Sequence, residues 1–153
     1  MLFFDLAEKR YSLRNFSDRK IEDNDVKQIL KAGWIAPSAR NAQPWFFHVF
    51  KTPDKIKDLT ENVFTGVFKA TMFAAKCNCM NAISRDKKDT VTKLGNLVRN
   101  SDYRKIDIGI TTAHMVLQAK ELGIDSCIIG WFDQKKANKY FKLSKQFEIS
   151  NSK

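Results

Sequence analysis

Pro37 and Pro44 bracket the stretch that most restricts what this chain can fold into. Each ring fixes its own φ and pushes the residue before it, Ala36 or Gln43, out of the right-handed helical region. A helix arriving from the N-terminal side must therefore stop before Pro37. Between the prolines lie Ser38, Asn41 and Gln43, a hydroxyl and two carboxamides that can each donate and accept. Trp45-Phe46-Phe47 supplies bulk behind them, and Phe47-His48-Val49-Phe50 alternates as the start of a strand. The expectation is a rigid, extended loop suited to gripping a polar ligand. The competing reading is an ordinary helix-to-strand connection in which Ser38 and Asn41 make local turn bonds.

The clearest periodic element lies further on. Ile108, Thr111/Thr112, Met115, Val116, Ala119 and Leu122 recur at helical spacing, with Asp107 placed to cap the start and Gly123 at the residue after the end. This is a core helix. A short amphipathic helix is expected over Met1–Lys9, where Leu2, Phe3, Leu6 and Ala7 recur at helical spacing. A second is capped by Asp23 or Asn24 and buries Val26, Ile29, Leu30 and Gly33 or Trp34. Thr52-Pro53-Asp54 opens a third, with Ile56 and Leu59 inward, and Asp133-Gln134 opens the last, through Tyr140 and Phe141. Val63 to Phe68 is helix or loop. Strands are expected from Cys77 onward and, as a buried run, over Ile124–Phe132, with Gly130 marking a close backbone approach. The polar segment Ser84–Lys105 carries a helix around Val91, Leu94, Leu97 and Val98.

Arg10, Ser12 and Arg14 alternate with Tyr11 and Leu13, so an extended backbone would put two guanidiniums and a hydroxyl on one side. Such a set suits a phosphate or electron-rich carbonyl and ring-nitrogen acceptors, and a solvated surface strand is its plain alternative.

Several classes are excluded on composition. A chain of 153 residues, 43% hydrophobic and 29% charged, is one globular domain over residues 1–153 rather than a disordered segment. No apolar run reaches membrane-spanning length, no leader pattern precedes Asp5 and Glu8, and a cytoplasmic protein without a membrane partner is expected. Three cysteines, an odd count without C-x-x-C spacing, indicate neither a disulfide framework nor zinc, and are read as buried structural thiols. With only His48 and His114 present, a histidine metal site is not expected, and His114 is read as structural. No phosphate-binding glycine loop, Ser/His/Asp set or carboxylate pair is legible. The net charge of +10 suits anionic ligands, but the charge is spread and no nucleic-acid partner is expected.

Three blocks in order carry a resemblance: Arg10-x-Ser12-x-Arg14-x-Phe16; Ala36-Pro37-Ser38-x-x-Asn41-x-Gln43-Pro44-Trp45; and Asp107-x-Gly109 leading through Gly123 to Ser126-Cys127-Ile128-Ile129-Gly130-Trp131-Phe132-Asp133. Together they resemble the FMN-dependent nitroreductase family. The resemblance implies an α+β fold, a central and mostly antiparallel sheet flanked by helices, in an intertwined homodimer with FMN in the interface. It implies that Arg10, Ser12 and Arg14 meet the flavin phosphate and pyrimidine edge. Pro37, Ser38 and Asn41 would reach FMN from the partner subunit, Gln43 would support their loop, and the Ile128-Ile129-Gly130 backbone would lie along the ring. The activity implied is reduction of nitroaromatics, quinones or similar small acceptors by NADH or NADPH, in ping-pong hydride transfer through flavin N5. No side chain need act as acid or base, because the flavin carries the chemistry. Two departures qualify this. Cys77–Ile83 lacks the family's β-branched central strand, and nothing after the last helix matches its usual further strand and C-terminal arm. A flavin-binding protein with little reductase activity is the alternative that the second departure implies.

Overall fold

The structure is a computed structural model that describes residues 2–86 and 102–150. Helix α1 (Phe3–Lys9) is followed by α2 (Asp23–Trp34), a 3₁₀ turn (Ala39–Asn41) and strand β1 (Trp45–Phe50). Then come α3 (Pro53–Val63), a 3₁₀ segment (Gly66–Lys76) and β2 (Met80–Asp86). Helix α4 (Tyr103–Glu121), helix α5 (Gln134–Tyr140) and strand β3 (Phe147–Ile149) complete the order. The fold is α+β: one three-stranded sheet in the order β1-β2-β3, antiparallel throughout, with helices packed around it. Among the described residues no helix is long and apolar enough to cross a membrane.

The longest helix organises the rest. The apolar stripe of α4 buries Ile108, Thr111, Met115 and Ala119, and α1 and α2 both pack against this helix. Where α2 meets α4 the backbones come close. A Cβ on Gly33 would sit 2.7 Å from Met115 Cγ and 3.0 Å from Phe47 Cζ. The same approach lets Thr111 Oγ1 donate to the Gly33 carbonyl at 2.7 Å. Gly33 is buried and Trp34 is exposed, which resolves the two options left open by periodicity. The helix ends as its sequence implies. Gly123 takes φ +74°, while Gly123 N–H reaches Lys120 O and Ile124 N–H reaches Ala119 O, a Schellman closure.

Two cores result. One gathers Leu59, Val63, Phe64, Phe132, Ala137 and Ile149 between α3, α5 and β3. The other joins Ala36, Trp45 and Ile108, so the end of α2, the start of β1 and the first half of α4 share a centre.

Several expectations are corrected. Helix α4 begins at Tyr103, ahead of Asp107, so Asp107 lies inside the helix and does not cap it. Helix α2 has Glu22 at its N-cap position, without a side-chain bond, and Asp23 pairs instead with Lys51. Strand β2 starts at Met80, so Cys77 and Cys79 precede it and Ser84–Asp86 belong to it. Residues 87–101, which hold Val91, Leu94, Leu97 and Val98, lie outside the described residues. The run Ile124–Phe132 is not a ladder strand. Among the described residues its one bridge is Ser126 to Ser12, in parallel sense, and on its other flank lies a cavity of about 450 Å³ rather than a strand edge. Strand β3 went unforeseen because three alternating residues after a lysine-rich helix carry almost no pattern.

A buried cation fastens the sheet to α4. Arg85, on β2 and 6% exposed, donates through Nε to Glu148 of β3 at 2.8 Å and through Nη1 to Asp102 at 2.7 Å. Asp102, at the head of α4, also accepts from Arg104 Nε at 3.0 Å. Burial pushes the Asp102 carboxyl up, but the hydrogen bonds from Arg85 and Arg104 outweigh it, and the group stands below its usual value. A depressed carboxyl stabilises the fold fully above the ordinary carboxylate range, and this contribution is lost as pH falls through the lowered value.

Two outcomes follow for stability. Gly33→Ala is expected to lower stability by about 1–3 kcal/mol through overpacking, although an exposed helical glycine gains about 1 kcal/mol from the same change. Urea unfolding reads the sign directly. Arg85→Met removes the buried cation that Glu148 and Asp102 share, although Asp102 keeps Arg104, and is expected to cost about 3 kcal/mol near neutral pH. The loss relative to the parent chain should shrink as pH falls below about 4, which urea midpoints at two pH values would measure.

Candidate functional site

Arg10, Ser12 and Arg14 stand on an extended segment that follows α1. Ser12 bridges Ser126, and Leu13 N–H donates to Ser126 O at 3.0 Å. Leu13 turns into the apolar cavity, which leaves its neighbours Ser12 and Arg14 exposed on the outside. Tyr11 is held by Lys120, whose Nζ lies 5.4 Å from the ring centroid and 2.6 Å from Asp125 Oδ1. The first and third sequence blocks thus meet beyond the C-terminal end of α4. Among the described residues neither Arg10 nor Arg14 has a carboxylate partner, and the N–H groups of Ile128, Ile129 and Gly130 have no hydrogen-bond acceptor. Free guanidiniums beside free backbone donors form an anion-receptive edge.

Pro37, Ser38, Asn41 and Gln43 lie elsewhere. Their loop is hydrogen-bonded to itself and folded, where the sequence predicts an extended loop. Ser38 is extended (φ −142°, ψ 156°), and the chain then tightens into the 3₁₀ turn. Arg40, Asn41 and Gln43 take φ of 56°, 55° and 43°, left-handed values that glycine adopts freely and other residues rarely do. Pro44 does keep Gln43 out of the right-handed region, by sending it to positive φ. Ser38 Oγ accepts from Gln43 N–H at 2.9 Å, and Gln43 Nε2 donates to Trp34 O at 3.2 Å, so Gln43 supports the loop. Pro37 and Asn41 are exposed and Ser38 is half-buried.

This loop is tied to the opposite end of α4. Asp107 Oδ1, in the first half of that helix, accepts from Ala39 N–H at 2.9 Å. From Asp107 to the end of α4 at Glu121 the rise is about 21 Å at 1.5 Å per residue. One chain therefore carries two separate polar groups: Arg10, Ser12, Arg14 and the 128–130 backbone at one end of α4, and the Ser38–Gln43 loop at the other. Sequence reasoning listed the members of both but missed Asp107 as a tether, having assigned it to helix capping.

Other candidates carry no chemistry. Cys77, Cys79 and Cys127 are free and half-buried rather than fully buried. Burial, together with the neighbouring Cys79 thiol, pushes Cys77 up to about 11, and burial also raises Cys79, so both stay protonated at neutral pH and are poor nucleophiles. His48 Nε2 lies 2.8 Å from Ser84 Oγ, but Ser84 is 2% exposed and has no access to a substrate. His114 is exposed and bonds through Nδ1 to Ile110 O. The 450 Å³ cavity is lined mainly by apolar side chains, including Leu13, Ile128 and Ile129. None of Arg10, Arg14, Ser38 and Asn41 opens onto it, so it lies behind the polar edge. Among the described residues no group of His, Cys, Asp or Glu could hold a metal ion.

The chain is similar to known proteins over nearly its whole length. Residues 7–151 match the nitroreductase family. A protein of Archaeoglobus fulgidus that bears the provisional name NADH dehydrogenase/NAD(P)H nitroreductase is 31% identical over 131 residues, covering 85% of this chain and 68% of its own length. Mouse iodotyrosine deiodinase 1 is 36% identical over 62 residues, which is 39% of this chain and 22% of that protein. Among solved structures, a nitroreductase family protein of Clostridium novyi NT superposes with a TM-score of 0.82 at 21% identity, over 97% of this chain and 80% of that one. An FMN-dependent nitroreductase of Clostridium difficile R20291 does so with a TM-score of 0.77 at 23% identity, over 97% and 83%. The family match spans nearly the whole chain and both ends of α4: this chain belongs to the nitroreductase family, a family of oxidoreductases.

Proposed function

We propose that the chain, as one domain over residues 1–153, is an FMN-dependent NAD(P)H oxidoreductase of the cytoplasm. It works as a homodimer on nitroaromatics, quinones or similar small acceptors. The observation that carries the reading is the anion-receptive edge, where, among the described residues, Arg10 and Arg14 stand without carboxylate partners beside N–H groups of residues 128–130 that have no acceptor. A flavin mononucleotide fits this edge, having a dianionic phosphate and a ring with carbonyl and nitrogen acceptors. The three free thiols accord with a reducing compartment.

Bound FMN supplies the two-electron exchange between NAD(P)H and the acceptor, which the side chains on this edge do not offer. The chain's own residues bind and orient. Arg10, Ser12 and Arg14 neutralise phosphate and donate to the pyrimidine edge, where a cation also favours negative charge on the ring. The Ile128–Gly130 backbone donates to a ring nitrogen without a side chain crossing the ring face. Pro37, Ser38 and Asn41, held by Gln43, belong to the second half of the site. Their separation from Arg10 and Arg14 along α4 supports a flavin shared between two subunits, each contributing one end. Exposed Phe3, Phe4, Trp34, Ile35 and Ile106, from 55% to 75% accessible, offer the apolar surface that a subunit interface would cover.

An anaerobic visible spectrum of FMN-loaded protein is the direct test. Flavin bands that bleach on adding NADH or NADPH are the expected result, and a chain that cannot be loaded with FMN overturns the proposal. Arg14→Ala is expected to weaken FMN binding at least tenfold, the scale of one charge-assisted contact of about 1.5–3 kcal/mol. The shared site has its own test. Chains carrying Arg14→Ala and chains carrying Ser38→Ala with Asn41→Ala should each be nearly inactive. Co-expressed, they should regain about a quarter of parental activity, because half the dimers are mixed and each of those holds one intact site. No recovery in isolated mixed dimers would place both groups on a single chain's site.

A further inference from the structure

Asp107 is 3% exposed, yet it serves none of the usual purposes of a buried carboxylate. It caps no helix, because α4 starts at Tyr103. No cation pairs with it among the described residues, and its Oδ2 is buried without a partner. Burial raises its pKa, and the nearby charge of Asp102 adds to that. Its one hydrogen bond runs from Ala39 N–H, 68 positions away in sequence, to Oδ1.

That bond matters because of what it restrains. Within residues 38–43 the other backbone bonds close on the loop itself: Asn41 N–H to Ser38 O, Ala42 N–H to Ala39 O, and Gln43 N–H to Ser38 Oγ. Gln43 Nε2 reaches outside, to Trp34 O, but across an exposed 3.2 Å contact. Arg40, Asn41 and Gln43 hold left-handed backbone without a glycine among them, a conformation that persists only where its surroundings enforce it. The tether to Asp107 is the loop's buried restraint on the helical core.

We propose that Asp107 is a positioning residue: by accepting the Ala39 N–H it sets the strained loop in the one orientation that presents Ser38 and Asn41 to FMN. The proposal rests on the reading of this loop as half of a flavin site. Asp107 touches no ligand itself and acts through the backbone of Ala39. What the site needs from position 107 is a buried acceptor, and Asn supplies one as well as Asp.

The bond can be cut from either end. Asp107→Leu removes the acceptor. Ala39→Pro removes the donor while leaving α4 untouched, and it is sterically permitted because Ser38 is already extended and position 39 opens a turn. FMN affinity would be read by quenching of flavin fluorescence, and stability by urea midpoint without FMN. Each variant is expected to weaken FMN about tenfold, with the double variant no weaker than either alone, since both remove one interaction. Asp107→Asn is expected to stay within about threefold of the parent chain, because its Oδ1 still accepts. If Asp107→Leu fails to fold, Ala39→Pro and Asp107→Asn decide between them. A lowered urea midpoint with unchanged FMN affinity in Ala39→Pro would overturn the proposal, as would an Asp107→Asn as weak as the leucine variant. Failure of the parent chain to bind FMN would instead remove the reading beneath it.

Discussion

The close crossing of α2 and α4 at Gly33 is the constraint from which the remaining geometry descends. Without a side chain there, Met115 and Phe47 fill the space between helix and sheet, and Thr111 can donate to the Gly33 carbonyl. The contact fixes where α2 ends, and with it the point at which the chain must leave toward Pro37. A Cβ would push α2 outward, and the exit of the polar loop would move with it. Packing of a few atoms in the core therefore sets the position of a loop whose polar groups are at the surface.

Helix α4 then acts as a spacer with two defined ends. At its head, Arg85 gathers Asp102 and Glu148, so the start of the helix is locked to β2 and β3 by charge-assisted bonds in a buried setting. At its tail, Gly123 turns the chain so that Ile124–Gly130 runs past Ser12. Each end holds one polar group, and the length between them is set by the number of helical turns. An insertion or deletion inside α4 would change that length and would rotate the tail by about 100° per residue, so the two groups would lose their relation together.

What could be read from the sequence depended on whether the cause was local. Helix α4 was legible because its stripe and terminal glycine are short-range signals, and the Pro37–Pro44 loop because two prolines speak for themselves. Strand β2 was not, since Ser84, Arg85 and Asp86 look like surface residues. They are tolerated in a central strand only because His48, Asp102, Glu148 and Gln146 wait for them from distant positions. The same holds for Asp107, whose partner lies 68 residues away. The apolar run Ile124–Phe132 misled in the other direction: its composition suits a strand, but a ladder needs an edge to meet, and a cavity lies there. Of the site, the residue types were visible and their division between two ends of a helix was not.

That division has an electrostatic reason. Two unpartnered guanidiniums cannot be buried within one chain at acceptable cost, since each would lose its hydration with no carboxylate to replace it. Arg10 and Arg14 are consequently left where solvent reaches them, and a net charge of +10 does nothing to offset their field. In the proposed flavin site a dianionic ligand would resolve the conflict where it meets them, and a second polar surface would close over that ligand from outside the chain that supplies the arginines. The strained Ser38–Gln43 loop is such a surface, exposed and already restrained, so little conformational freedom remains to be lost when it meets a ligand. Under the proposed function, exposed charge on one end and a preorganised polar loop on the other are two consequences of one requirement, that an anion be enclosed without any chain having to bury unpaired charge while it folds.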